Sequence, residues 1–342
     1  PPPAPRGVEA VDLAEVRGQT HARLGLEVAA AGGHNLLLMG PPGAGKTMLA
    51  RALPGILPPL GQEEALEVTA IYSAAGLLPP GAGLLVARPF RAPHHSASVA
   101  ALVGGGPRLR PGEVTLAHRG VLFLDEVTEF ARDALEALRQ PLEDGRVCVA
   151  RARGAAVYPA RFTLVAAGNP CPCGFHGDGE GRCVCSPAQV RRYRQRLSGP
   201  LLDRLDLHVY VRRLEPGQLL GGEGGEPSSA VRARVAEARE RQERRFRGEG
   251  VACNAEMTRS QVRRFCRLTP EVEGWLRTAY LNLGLNPRGL ERLVKVARTL
   301  ADLRGEESRT WQGLRSSQAV QGASARRFQL CSRHRDAPSR RL

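Results

Sequence analysis

The sequence predicts an α/β fold in which a parallel sheet is sandwiched by helices and followed by a C-terminal helical lid. Two observations predict the sheet: short apolar segments alternate with helical patterns, and a glycine-rich loop joins the first of these segments to a helix. The lid is predicted because the pattern after residue 230 is helical. The predicted strands are residues 36–39, 121–124, 162–167 and 207–211.

Length and composition bound the class of protein. The chain has 342 residues, of which 42% are hydrophobic, enough for a large core and a smaller second domain. No apolar run is as long as a membrane span, and the start lacks the basic and apolar regions of a signal peptide. We therefore expect a cytoplasmic protein with no membrane partner. The proline-rich residues 1–10 are typical of a linker, so we expect the chain to be part of a longer product.

The net charge is +15 and is carried almost wholly by arginine, because Lys46 and Lys295 are the only lysines. An excess of positive charge favours polyanionic partners, chiefly nucleic acid, through neutralisation of phosphates and release of counterions. General arginine enrichment, as in a protein from a GC-rich or heat-adapted source, is an alternative origin for about half of the excess.

Residues 40–47 have the sequence G-P-P-G-A-G-K-T and directly follow the first predicted strand. In a G-x-x-x-x-G-K-T loop, glycines let backbone N–H groups close on a polyphosphate, the lysine reaches the outer phosphates and the threonine hydroxyl binds Mg²⁺. The loop therefore predicts a site for ATP and magnesium. Its predicted ligands are Gly40, Pro41, Pro42, Gly43, Ala44, Gly45, Lys46 and Thr47.

The next predicted strand ends in two acids, Asp125 and Glu126. Strands that end in acids are common, but together with the phosphate loop this pair indicates a hydrolase. Asp125 is expected to complete the magnesium shell, and Glu126 to polarise the attacking water.

Between these two strands, about residues 77–120 are predicted as an insertion rich in proline and glycine. It contains the adjacent pair His94 and His95. Neighbouring residues of an extended segment point to opposite sides, so we expect the two imidazoles not to share a metal ion. Packing or a contact with DNA is the interpretation that the sequence favours.

Residues 145–159 are predicted as a β-hairpin with Arg151 and Arg153 at its tip. Arginines without interleaved aromatic residues are expected to grip the backbone of a nucleic-acid strand with little sequence preference and a strong dependence on salt. A solvated turn is the alternative.

Four of the eight cysteines, Cys171, Cys173, Cys183 and Cys185, fall in one loop rich in glycine. Four thiolates from one loop suit tetrahedral zinc, which would order a segment too polar to fold alone. The one-residue spacing within each pair is shorter than usual, and free structural thiols or a disulfide are the alternatives.

The remaining chain is divided by composition. Residues 11–215 are predicted as the core, 216–230 as a glycine-rich joint and 231–305 as the lid. Within the lid, Thr258 and Gln261 predict a capping box, and helices are predicted to begin at Thr269-Pro270 and Asn286-Pro287. The last helix carries an apolar stripe formed by Leu290, Leu293, Val294, Ala297 and Leu300. Residues 306–342 lack periodicity, and we expect an atypical, disordered tail there.

The order of loop, acidic strand, hairpin and lid resembles a AAA+ ATPase of the magnesium-chelatase-like group, and closely the bacterial ComM/YifB competence family. The resemblance covers about residues 11–305. It rests on the segments AGGHN at 31–35, RAPHHS at 91–96, LRQPLEDG at 138–145, NPCPCG at 169–174 and LLDRLDLH at 201–208. Members of this family resemble hexameric DNA motors with an upstream Lon-protease-like domain, which this sequence does not contain.

The resemblance implies roles for three further residues. Asn169 matches sensor 1, an amide that holds the attacking water beside the terminal phosphate. Arg204 matches the arginine finger, donated to the ATP of a neighbouring subunit, and Arg288 matches sensor 2, which reports the terminal phosphate to the lid. An ion pair with Asp203 or Asp206 is the alternative for Arg204, and a solvated helix start is the alternative for Arg288.

Three functions are consistent with these residues. The first is a ring-forming ATPase that moves on DNA, as a helicase or in branch migration during recombination or natural transformation. The second is the ATPase subunit of a metal-insertion complex that acts on a tetrapyrrole, and the third is a remodeller of other proteins. The cysteine loop after Asn169 favours the first, because the resemblance places it in the DNA-associated branch.

Overall fold

The computed structural model describes residues 11–78, 80–105, 109–151, 154–215, 217, 224–268, 270–283 and 286–306. The predicted linker before residue 11 and the predicted tail after residue 306 lie outside these ranges, as do residues 216 and 218–223 of the predicted joint. No helix in the described ranges is both long enough and apolar enough to cross a lipid bilayer.

A parallel sheet forms the centre of the protein, as predicted. The strands are β1 (Leu36–Met39), β2 (Phe90–Arg91), β3 (Gly104–Gly105), β4 (Arg110–Pro111), β5 (Val121–Leu124), β6 (Arg146–Arg151), β7 (Gly154–Pro159), β8 (Thr163–Gly168) and β9 (Leu207–Tyr210). Five of them form the central sheet in the order β2-β5-β8-β1-β9, with parallel pairing throughout. The edge strand β2 was not predicted, because two residues within a proline-rich segment show no periodicity.

Helices cover both faces of this sheet. They are α1 (Thr20–Gly32), α2 (Lys46–Ile56), α3 (Gln62–Ala74), α4 (Val99–Val103), α5 (Glu113–Leu116), α6 (Arg132–Ala137), α7 (Arg139–Asp144), α8 (Pro187–Arg194), α9 (Gly199–Leu202), α10 (Ser228–Arg245), α11 (Arg259–Phe265), α12 (Pro270–Leu283) and α13 (Pro287–Leu303). Strands β1, β5 and β8 are buried along their whole length, which explains why they appear in the sequence as continuous apolar runs.

Alternate residues of each central strand enter two different hydrophobic cores. Leu36 and Leu38 pack with α1, α2 and α10 on one face, whereas Leu37 and Met39 pack with α6 and the β6–β7 hairpin on the other. This division follows from the two-residue period of a strand. The sheet is therefore held from both faces. Its parallel strands all end on one side, the carboxyl edge, and all begin on the opposite side, the amino edge. The loops that follow the strands lie at the carboxyl edge, and the loops that precede them lie at the amino edge.

The predicted hairpin is present as β6 and β7, which pair antiparallel from Arg146 opposite Pro159 to Arg151 opposite Gly154. Gly145 ends α7 in the left-handed conformation, with φ of 64°, and starts the hairpin. The tip residues 152 and 153 lie outside the described ranges, so Arg153 stays a sequence-based prediction, and only the backbone of Arg151 is described.

The C-terminal region is helical, as predicted. Thr258 and Gln261 form the capping box at the start of α11, and the Asn286 side chain accepts a hydrogen bond from the Gly289 N–H at 2.7 Å to cap α13. Within the predicted apolar stripe of α13, the side chains of Leu293, Val294 and Leu300 are buried.

A buried polar network joins α13 to the core. His34, just before β1, contacts the Thr299 hydroxyl through Nε2 at 2.8 Å, and the Asn254 side chain donates to the same hydroxyl at 3.0 Å. One turn further on, the fully buried Asp302 pairs with Arg245 of α10 and, at 2.8 Å, with Arg298. Because each polar group in this network has a partner, the network fixes the orientation of α13 against α1 and α10.

Candidate nucleotide-binding site

The predicted phosphate loop lies between β1 and α2, at the carboxyl edge of the sheet. Gly43 and Gly45 have φ of 74° and 90°, which only glycine adopts without strain. A side chain on Gly40 would collide with the backbone carbonyl of Val211, which directly follows the neighbouring strand β9. The glycines thus let the loop curve tightly above the first turn of α2, where unpaired backbone N–H groups and the helix dipole favour an anion.

Lys46 is buried and contacts both the phosphate loop and Asn169, which follows the adjacent strand β8. Its Nζ donates to the carbonyl oxygens of Gly40 at 2.7 Å and Pro41 at 2.9 Å, and to Oδ1 of Asn169 at 3.1 Å. Burial lowers the pKa of Lys46 to about 8, although the nearby carboxylates of Asp125 and Glu126 act in the opposite direction. Lys46 and Asn169 therefore face the same site, from the ends of two adjacent strands.

Thr47 and Asp125 form a second contact at this edge. The Thr47 hydroxyl donates to Oδ2 of Asp125 at 2.8 Å, so a hydroxyl and a carboxylate lie side by side below the phosphate loop. Oxygen donors of this kind suit Mg²⁺, and the pairing matches the geometry by which phosphate-loop ATPases hold the ion. The donor set fits the predicted magnesium.

Glu126 follows directly and has an unusual backbone. Its φ is 49°, in the left-handed region, and its N–H donates to Oδ1 of Asp125 at 2.9 Å. Its side chain is 59% exposed, so water can reach its carboxylate. Non-glycine residues in this conformation are uncommon and cluster at functional sites.

His95, for which the sequence favoured packing or a contact with DNA, lies beside Glu126. Its Nδ1 lies 3.4 Å from Oε2 of Glu126, and its ring stands 4.0 Å from that of His94. The expectation that the two histidines point to opposite sides is wrong, because the chain turns at this point and the Ala97 N–H donates to the His94 carbonyl at 2.9 Å. Recognising β2 would have revealed the contact, since β2 and β5 are parallel neighbours and their carboxyl ends share an edge.

Arg204 and Arg288 lie elsewhere, at the amino edge of the sheet. Arg204 precedes β9; its Nη1 donates to the Pro200 carbonyl at 2.8 Å and its Nη2 pairs with the carboxylate of Glu143. Arg288, in the first turn of α13, has Nη2 3.8 Å from the other carboxylate oxygen of Glu143. The Arg204 hydrogen bond lowers the pKa of the Glu143 carboxyl, so one ionised acid holds both arginines.

The two acids considered as partners of Arg204 contact other residues. Asp203 lies 3.4 Å from Arg292, and Asp206 lies 3.2 Å from His34. Arg204 and Arg288 line a cavity of about 750 Å³ together with Asn35, Glu143, Arg292 and Lys295. Asn35 marks the amino edge, because it immediately precedes β1 and its side chain donates to the Arg204 carbonyl at 2.9 Å.

The structure brings the four predicted cysteines together. Their Sγ atoms all lie within 4.8 Å of one another, and the separations from Cys183 to Cys171 and Cys173 are 3.8 and 3.7 Å. A tetrahedral zinc with bonds of about 2.3 Å places its sulfur ligands about 3.8 Å apart, so the donor set fits zinc. A hydrogen bond from the Phe175 backbone lowers the pKa of Cys173 to about 6, whereas burial and the neighbouring thiols raise the pKa of Cys183. The four thiols thus do not ionise together without a cation, and a bound metal would supply that charge.

Comparison with known proteins agrees with this geometry. The family model described as magnesium chelatase, subunit ChlI, matches residues 12–219, and the model of the ChlI C-terminal region matches residues 225–321. The chain is 54% identical to an uncharacterized protein of Mycobacterium tuberculosis, over 87% of this chain and 59% of that protein. It is 48% identical to YifB of Escherichia coli, over 90% of this chain and 59% of that protein.

A third relative is the competence protein ComM of Haemophilus influenzae, 47% identical over 88% of this chain and 58% of that protein. The chain thus spans somewhat more than half the length of the curated relatives that it matches. Fold and site define a phosphate-loop protein of the AAA+ class. The chain belongs to the magnesium-chelatase-like AAA+ family, in the group that contains YifB and ComM.

Proposed function

We propose that this chain is the motor part of a ring-forming ATPase in which ATP is hydrolysed at contacts between identical copies. The observation that carries the proposal is the placement of Arg204 and Arg288 at the opposite edge of the sheet from Lys46 and Glu126. A four-residue parallel strand is about 13 Å long, so the arginines are far from the phosphate loop of their own chain. A second copy of the chain is needed to place these arginines beside a phosphate loop.

In this proposal, the residues of one chain bind ATP and activate water. The N–H groups of residues 43–47 and the Lys46 ammonium hold the phosphates, and Thr47 and Asp125 would hold Mg²⁺, which neutralises developing charge on the phosphate oxygens. Glu126 takes a proton from the attacking water, and Asn169 orients that water.

The neighbouring copy supplies the remaining charge. Its Arg204 stabilises the transferred phosphoryl group, a contribution worth about 10³ to 10⁵ in rate. Arg288 acts on the same nucleotide as Arg204, because one carboxylate, that of Glu143, binds both side chains. A hexamer is the assembly that we propose for the ring.

DNA is the proposed track of the motor. The net charge of +15 favours a polyanion, and one relative is named a competence protein. The β6–β7 hairpin would project Arg151 and Arg153 into the channel of the ring, where contacts to the DNA backbone drive unwinding or branch migration. The proposed setting is the cytoplasm, during recombination or natural transformation.

The second candidate is an ATPase subunit of a magnesium-chelatase-type complex. The observation that favours it is the match to the ChlI models over both parts of the chain. The cysteine cluster behind Asn169 favours the DNA motor, since the proposed zinc belongs to that branch of the family by resemblance.

One experiment separates these candidates. ATP turnover is measured without nucleic acid, with single-stranded DNA and with forked DNA, at low and high salt, and unwinding of a three-stranded junction is followed in parallel. A DNA motor is stimulated by DNA at low salt and loses the stimulation as salt rises. If DNA does not change ATP turnover at any salt concentration, the first proposal is contradicted and the chelatase-type role remains.

A further inference from the structure

The cysteine cluster lies directly against the phosphate loop. Cys171 is two residues beyond Asn169, and its carbonyl accepts a hydrogen bond from the Gly174 N–H at 3.0 Å, which closes a tight turn. Two of the four cysteines, Cys171 and Cys173, sit in this turn. The segment that would hold zinc is therefore also the segment that borders the nucleotide site.

The first link between the cysteine cluster and the nucleotide site is the contact of Gly174 with Pro42 of the phosphate loop. Gly174 has φ of 86°, and a Cβ added there would overlap Cδ of Pro42 and lie 2.8 Å from its Cγ. The turn at Gly174 thus packs directly against the ring of Pro42, with no room for a side chain between them. Pro41, the preceding residue, offers its carbonyl to the Lys46 ammonium at 2.9 Å, so a shift of Pro42 displaces a direct partner of Lys46.

The second link runs along the chain. Cys171 is fully buried, and the residue before it, Pro170, is held by Arg194 of α8, whose Nε donates to the Pro170 carbonyl at 3.2 Å. Asn169 comes next and accepts from Lys46 at 3.1 Å. Both the phosphate loop and Asn169 are therefore supported by the same cysteine-bearing turn.

The rest of this loop is ordered by local side-chain contacts, in which Arg182 pairs with Asp178 at 2.9 Å and lies 4.6 Å from the centre of the Phe175 ring. Cys173, Cys183 and Cys185 are only partly buried, and residues 170–186 contain no helix or strand. A segment without a regular backbone or a core of its own pays a large conformational entropy on ordering, which a metal bound by four thiolates offsets.

We propose that the metal held by Cys171, Cys173, Cys183 and Cys185 positions the phosphate loop through the Gly174–Pro42 contact, so that zinc occupancy sets the affinity for nucleotide. The inference rests on the proposed ATP site. It adds a positioning role for residues that do not touch the nucleotide.

The test compares Gly174→Ala with Gly179→Ala. Gly179 belongs to the same loop and has nearly the same φ, 87°, but an added Cβ there meets no atom within 4 Å. Both variants carry the same backbone strain, and only the first pushes on Pro42. Affinity for a fluorescent, non-hydrolysable ATP analogue and zinc per chain are measured for both. We expect equal zinc content and binding about tenfold weaker in Gly174→Ala alone, as for an overpacked contact.

A second measurement uses the unchanged chain. Zinc is removed with a chelator, the chelator is removed by gel filtration, and analogue binding is measured in Mg²⁺ before and after zinc is restored. We expect affinity to fall on removal and to return with Zn²⁺. Equal affinity of the two variants, unchanged affinity on zinc removal, or a purified chain without zinc overturns the inference. None of these results touches the proposed function, which is judged by hydrolysis and by its response to DNA.

Discussion

Lys46 and Arg204 lie at opposite edges of one parallel sheet. Lys46 contacts Asn169 at the carboxyl end of β8, whereas the Arg204 carbonyl is bound by Asn35 at the amino end of β1. In a parallel sheet every loop that follows a strand is at one edge, and every loop that precedes a strand is at the other. A ring that packs one edge against the other edge of the next copy therefore completes each site with a residue of its neighbour.

Replacing Arg204 by alanine is expected to reduce ATP turnover by about 10³-fold or more while leaving ATP binding intact. The matched control is Arg196→Ala, since Arg196 forms an exposed pair with Glu129 away from the amino edge. Turnover and analogue binding are measured for both. Loss of binding in Arg204→Ala would show that Arg204 has a structural role instead.

Mixing two inactive variants tests whether the site is shared. In mixtures of Arg204→Ala with Glu126→Gln, some contacts join an intact Glu126 on one copy to an intact Arg204 on the next. We expect such mixtures to recover part of the turnover that each variant lacks alone. Mixtures as inactive as their components would contradict a site built from two copies.

Glu126→Gln is expected to retain ATP binding and to lose turnover by about 10²- to 10⁴-fold, because an amide cannot accept the proton of the attacking water. Glu129→Gln is the control, as Glu129 is a nearby acid that pairs with Arg196 at 2.8 Å. Hydrolysis by Glu126→Gln at the rate of the unchanged chain would refute the assigned base.

The affinity for nucleotide is expected to depend on pH through Lys46. Burial lowers the pKa of Lys46 to about 8, so its ammonium is charged below that pH and loses its proton above it. Bound phosphates favour the charged form, so affinity for a non-hydrolysable ATP analogue should fall by up to about tenfold per pH unit above pH 8. Isothermal titration from pH 7 to 9.5 measures this, and constant affinity over that range contradicts it.

Asp302→Ala is expected to destabilise the chain by about 3–5 kcal/mol, because it leaves two partly buried arginines, Arg245 and Arg298, without their carboxylate. Glu237→Ala is the control, since Glu237 forms an exposed pair with Arg241 that is worth at most about 1 kcal/mol. Urea denaturation gives both free energies of unfolding. Equal stability of the two variants would show that the network does not anchor α13.

The sequence by itself determined the phosphate loop, the acidic strand, the hairpin and the caps of the lid helices. Each is a local pattern: glycine at positive φ, an apolar run before Asp125 and Glu126, a capping box at Thr258. Such patterns depend on neighbours within a few residues, so they are visible in a single chain without knowledge of the fold.

Only the tertiary structure decided which distant residues meet. The contacts of His95 with Glu126, of Glu143 with both Arg204 and Arg288, and of Gly174 with Pro42 all follow from the strand order β2-β5-β8-β1-β9. Short apolar strands such as 36–39 and 121–124 look alike in sequence, because burial on both faces selects the same residue types in each. Their order, and with it the division of the site between two edges, is set by how the helices pack across the sheet.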